Sequence, residues 1–154
     1  MSWKVWWFVM LAQAWVGAAS ASCWREVGEK YAIEPELLYA IAQVESGLDP
    51  QAVNHNANGS KDVGLMQINS IHLPRLKGKG ITEQRLRDEP CLAVDVGASI
   101  LADFIGRLGY NWNAVGAYNA GTSPARENLR LHYAGKVWKR YQVLLVDGIG
   151  AARF

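Results

Sequence analysis

The chain has 154 residues, enough to bury a core in one domain and too few for two. Half of the residues are hydrophobic and 19% are charged, which excludes a disordered chain. A net charge of +2, with Lys and Arg scattered among Asp and Glu, excludes the concentrated basic face that nucleic acid demands.

Residues 1–21 read as a cleavable export signal. Lys4 supplies a positive n-region, Val5 to Ala18 is uncharged and apolar, and Trp3, Trp6, Trp7 and Trp15 fall within these regions. Ala19-Ser20-Ala21-Ser22 then offers an A-x-A site with cleavage after Ala21. A retained anchor is the alternative, but the apolar run is short for a span of about 20 residues. Ser20 stands where a lipobox wants an aliphatic residue, so Cys23 is not read as lipidated. The processed chain is expected in the periplasm. In that oxidising compartment its even pair, Cys23 and Cys91, is expected as one disulfide, with two buried free thiols as the alternative.

Helical spacing dominates the remainder. A first helix is predicted over about Cys23 to Tyr31. A second starts at Pro35, carries Leu37, Leu38, Ile41 and Val44 on its apolar face, and ends at Gly47. Asp49 to Lys61 is polar and reads as a loop, with a turn at Asn58-Gly59-Ser60. A short helix is predicted after Gly64, carrying Met66, Gln67 and Ile68. Residues 74–90 read mainly as loop, with a helical turn around Glu83 to Arg87. Their charges (Arg75, Lys77, Lys79, Arg85 and Arg87 against Glu83, Asp88 and Glu89) fit a solvated surface. A long helix follows from Leu92 to Leu108, then a helical piece from Trp112 to Tyr118 closed by Asn119-Ala120-Gly121. Ser123 as N-cap and Pro124 just inside start the last helical region, through about Val143. The expected fold is all-α, with at most a very small β-hairpin, as one domain over 22–146 and a tail over 147–154.

Glu45 is the first candidate for chemistry. Leu38, Ile41 and Glu45 stand at i, i+3 and i+7, so the carboxylate shares a helical face with apolar residues. Partial desolvation there raises its pKa and keeps it protonated near neutral pH, as a general acid for a glycosidic oxygen requires. Gln67 and Asn69 lie among apolar neighbours after Gly64, and Tyr118 and Asn119 precede a glycine. Amides and aromatic faces of this kind bind sugars. Each segment taken alone also fits an ordinary helix surface or helix end. His55, His72 and His132 have no ligand-like spacing, so no metal is expected, nor any other cofactor.

Taken in order, Glu45-Ser46-Gly47, Gly64-Leu65-Met66-Gln67-Ile68-Asn69 and Ala117-Tyr118-Asn119-Ala120-Gly121 resemble the lytic transglycosylases whose catalytic domain is like goose-type lysozyme. Tyr133-Ala134-Gly135-Lys136-Val137 matches the family's fourth element, and the resemblance covers roughly residues 23–143. The short length, the cysteine pair and Asn54-His55-Asn56 look like the small specialised enzymes of type III secretion systems, with relatives in conjugation and type IV pili. The resemblance implies a lysozyme-like domain that cuts peptidoglycan with Glu45 as its one catalytic carboxylate. Ser46 would orient that acid or the substrate, Met66 and Gln67 would line the cleft, and Tyr118 and Asn119 would bind sugar and acetamido groups. The Tyr133 hydroxyl would reach the carboxylate. Implied partners are glycan strands and components of a secretion system, around a monomeric enzyme. Asp49 and Asp62 are the candidates for a second carboxylate; both are assigned to loop structure, with a contribution from Asp62 left open. Rival readings are a true lysozyme, which uses water, and a non-catalytic wall-binding scaffold.

Overall fold

In the computed structural model, which describes residues 21–146, the helices form largely where apolar spacing places them. The expected export signal, apart from Ala21, and the expected tail lie outside the described residues. Helix α1 spans Ala21–Tyr31 and α2 spans Pro35–Ser46. Pro35 presets the first turn of α2 without losing a hydrogen bond, and Leu37, Leu38, Ala40, Ile41 and Ala42 bury its inner face. Gly47 ends it at φ 64°, a left-handed state that only glycine adopts cheaply, and donates its N–H to the Gln43 carbonyl at 3.1 Å. Position 45 is thereby fixed two residues from a hard stop.

The middle of the chain departs from expectation. The polar stretch 49–61 holds a strand, β1 (Val53–His55), which pairs antiparallel with β2 (Lys61–Val63) through the expected turn at Asn58-Gly59-Ser60. Strand β2 pairs antiparallel with β3 (Ile68–Asn69), giving a sheet of order β1-β2-β3. The helix expected after Gly64, with Met66, Gln67 and Ile68, does not form. Gly64 at φ 75° and Gln67 at φ 49° are both left-handed, which a right-handed helix cannot accommodate. The segment instead turns back, with Gln67 N–H donating to the Gly64 carbonyl at 3.0 Å. A Cβ at residue 64 would lie 2.8 Å from the Leu86 carbonyl oxygen, so the glycine is also required by close approach.

Residues 74–90, expected mainly as loop, hold short helices α3 (Leu73–Lys77) and α4 (Glu83–Asp88), the latter capped by the Thr82 side chain. Helix α5 (Pro90–Leu108) and α6 (Trp112–Ala120) follow as predicted. Ser123 does not cap through its hydroxyl. Pro124–Arg126 is a 3₁₀ turn, whose i→i+3 pattern uses the Ser123 carbonyl, and α7 runs over Glu127–Val146. Helix α6 packs against both α5 and α7, and α7 also covers α2. Leu38, Ile41, Met66, Ile68, Leu86, Leu101 and Val137 are fully buried between these layers, each large side chain stabilising by about 1.5–3 kcal/mol.

Cys23 on α1 and Cys91 on α5 are free thiols in side-chain hydrogen-bond contact, and burial pushes the Cys23 thiol well above its usual range. Cys23 is buried and Cys91 exposed where the two helices already touch. Lys30 and Asp95, at 2.6 Å, tie the same helices together. Oxidation is expected to join the pair: in protein recovered without reductant, alkylation should label neither cysteine. Two labelled thiols would count against the bridge. Replacing both by Ser should then destabilise by roughly 4 kcal/mol in the chain-entropy picture, less if the bridge is strained.

Candidate active site

A cleft of about 630 Å³ opens between the small sheet and the C-terminal end of α6. Its lining includes Glu45 from α2, Asp62 and Asn69 from the strands, Gln67 from the turn before β3, Phe104 from α5, and Tyr118, Asn119 and Gly121 from α6 and its end. Exposed Ile71 and half-buried His72 also line it.

Glu45 sits in the last turn of α2, where the helix dipole disfavours a negative charge. Burial is the main cause that raises its pKa, from 4.5 to about 7. The Tyr133 hydroxyl donates to its Oε1 at 2.5 Å and pulls the value down, while the charge on Asp62 pushes it up. Tyr133 is itself buried on α7, and burial holds its hydroxyl well above the usual tyrosine range, so it stays a neutral donor. The result is a carboxyl poised between protonation states near neutral pH. Such a group can give a proton in one step and take one in the next.

The other residues named from sequence fall into distinct roles. Ser46 donates its hydroxyl to the Leu65 carbonyl at 2.8 Å, fastening the end of α2 to the turn between β2 and β3. Met66 is fully buried and does not reach the cleft surface; its carbonyl accepts from the Tyr118 hydroxyl at 2.8 Å. Tyr118 consequently presents its ring rather than its hydroxyl. Gln67 faces the cleft, yet its amide is committed. Its Oε1 accepts from Asn54 at 2.7 Å, and its Nε2 donates to the carbonyls of Gly64 at 2.9 Å and Ala52 at 3.2 Å. Those bonds hold the left-handed backbone at 67. Asn119 is exposed on the wall, with its amide free of partners among the described residues.

Asp62, assigned from sequence to loop structure, lies on β2 and lines the cleft. Its Oδ1 accepts from Asn69 at 2.7 Å and its Oδ2 from Asn56 at 2.9 Å. Two amides therefore hold the carboxylate in one orientation. The partners lie six and seven residues away on adjoining strands and turns, so no local pattern announced them. Asp49, by contrast, is exposed and accepts from the Gln51 N–H at 2.8 Å, as a loop residue does.

Residues 22–141 match the family described as Transglycosylase SLT domain. Invasion protein IagB of Salmonella typhimurium is 52% identical over 138 residues, which cover 90% of this chain and 83% of that protein. Protein IpgF of Shigella flexneri is 50% identical over 121 residues, covering 79% and 80%. A peptidoglycan-binding-like protein of Escherichia coli O157:H7 is 42% identical over 130 residues, covering 80% and 78%. Among solved structures, an inactive mutant of lytic transglycosylase Slt from Pseudomonas aeruginosa superposes with a TM-score of 0.67 at 20% identity. That alignment covers 90% of this chain and 26% of the larger one, a likeness of fold.

Proposed function

From the premise that the chain belongs to the transglycosylase SLT family and is a peptidoglycan lytic transglycosylase, we propose that Glu45 performs both proton transfers of an intramolecular cleavage. Protonated Glu45 donates to the oxygen linking N-acetylmuramic acid to N-acetylglucosamine, and that bond breaks. The acetamido group of the muramic residue stabilises the positive charge developing at C1. Glu45, now a carboxylate, takes the proton of the C6 hydroxyl, whose oxygen attacks C1 and closes a 1,6-anhydro ring. Ordinary glycosidases divide such work between two carboxylates. The observation that carries this reading is the half-buried Glu45, with a pKa near 7 and a neutral tyrosine hydroxyl 2.5 Å away, because one group must serve as acid and then base.

In this reading Ser46 positions Glu45 through Leu65, Gln67 and Met66 shape the cleft from beneath, and Tyr118 and Asn119 meet the sugar. The enzyme acts as a periplasmic monomer, exported by residues 1–21, with residues 22–146 as its domain. It opens the wall locally for a secretion apparatus. Support for that setting comes from relatives that carry the name invasion protein.

Asp62 favours a second reading. A fixed carboxylate in the same cleft is what a water-using lysozyme needs beside its acid. Mass analysis of the released muropeptides separates the two, since the anhydro product is lighter by one water. Anhydro ends are expected, with Asp62→Asn retaining activity within a few-fold. Reducing ends, together with loss of activity in Asp62→Asn, would replace the first reading by the second.

A further inference from the structure

The wall formed by the end of α6 and the turn after it carries a cation that the reaction does not use. Arg126 lines the cleft, is exposed, and makes no side-chain hydrogen bond or ion pair among the described residues. Among the described residues it is the only Lys or Arg on the lining. His72, the other basic group there, has its pKa lowered by burial and by Arg75, so it is neutral near neutral pH. Asp62 forms no ion pair with Arg126 either; its two oxygens accept from the amides of Asn69 and Asn56. A permanent cation thus stands free on the wall of a cleft that also holds Glu45 and an amide-bound carboxylate.

Its position is built rather than incidental. Arg130, only 7% exposed, donates through Nη1 to the carbonyls of Ser123 at 2.7 Å and Gly121 at 3.3 Å, and through Nε to Asn113 Oδ1 at 2.9 Å. A buried guanidinium therefore pins the stretch 121–123 against α6 and α7, and the 3₁₀ turn of residues 124–126 follows directly from it. Arg126 is held on the same wall as Asn119 and Gly121.

We propose that Arg126 binds a carboxylate of the peptide stem carried by the muramic acid residues, and so makes the enzyme select stem-bearing glycan. The proposal rests on the peptidoglycan reading above. The sugar rings of that polymer offer hydroxyls and neutral acetamido groups, whereas its stems offer carboxylates, and a guanidinium fork matches a carboxylate in two-point geometry. Asn119 and the Tyr118 ring then take the neutral sugar, and Arg126 takes the charged substituent. Arg126 acts in binding and has no part in proton transfer.

The test uses soluble stem-bearing glycan strands in two forms, one with free stem carboxylates and one with those carboxylates capped as neutral amides. For Arg126→Gln, KM on strands with free carboxylates should rise about tenfold or more, the loss of one charge-assisted contact, with kcat unchanged. On capped strands the mutant and the wild type should match. Arg126→Lys keeps the charge without the fork and should fall between them. Equal KM values for Arg126→Gln and the wild type on strands with free carboxylates, or an equal rise on both substrates, would overturn the proposal. A wild-type enzyme that cuts neither substrate would remove the peptidoglycan reading itself, and this proposal with it.

Discussion

Glu45→Gln is expected to lower the release of muropeptides by about 10³-fold or more, at the upper part of the range for losing a group that transfers a proton. Glutamine keeps the shape and burial of the side chain and can still pair with the Tyr133 hydroxyl, but it has no proton to give and none to take back. Binding to sacculi should persist, because sugar contacts on the cleft wall remain. Stability supplies an independent check. Glu45 binds its proton more tightly in the folded chain, with a pKa raised from 4.5 to about 7. Its contribution is fully present below the unfolded value and is lost as pH rises through the folded one, by roughly 3 kcal/mol in all. The amide does not titrate, so the mutant should gain in Tm over the wild type as pH is raised across that interval. Activity within tenfold of the wild type, or a pH-independent difference in Tm, would sink the assignment of Glu45.

What was legible in the sequence was what periodicity encodes. Leu38, Ile41 and Glu45 lie on one helical face, Pro35 and Gly47 bound that helix, and the run from Leu92 to Leu108 is helical as its spacing required. The place of the small hairpin was not legible. Its strands are two or three residues long and polar, and they exist because β1, β2 and β3 find one another rather than because each prefers extension. Nothing in the apolar Leu65-Met66 and Ile68 signalled that Gln67 would be left-handed. Its tolerance of that state comes from the bonds to Asn54, Ala52 and Gly64, two of them distant in sequence. The same blindness hid Asp62, whose place in the cleft depends on Asn56 and Asn69. Family resemblance found Tyr133, where helical spacing alone gave no reason to link it to a residue 88 positions away.

Tyr133→Phe isolates that link, because it removes one oxygen and keeps the buried ring. The hydroxyl donates to Glu45 and favours its ionised form, so its loss should raise the Glu45 pKa above about 7. The first chemical step needs Glu45 protonated. The high-pH limb of kcat/KM, where activity falls as Glu45 ionises, should therefore move to higher pH in the mutant. A simple increase in acid at neutral pH would by itself speed the reaction. The second step opposes this, since it needs a carboxylate oriented toward the C6 hydroxyl, and the phenol is what orients Oε1. A hydrogen bond worth about 1.4 kcal/mol in that transition state corresponds to a tenfold fall in kcat at the optimum. Glycan affinity should change little, because Tyr133 is buried and is not part of the cleft lining. A slower enzyme whose limb has moved up in pH is the expected result for a tyrosine that holds the acid. Equal turnover and an unmoved limb, measured on the same sacculi, would reduce Tyr133 to a core aromatic. A slower enzyme with an unmoved limb would mean that its hydroxyl acts on the fold rather than on Glu45.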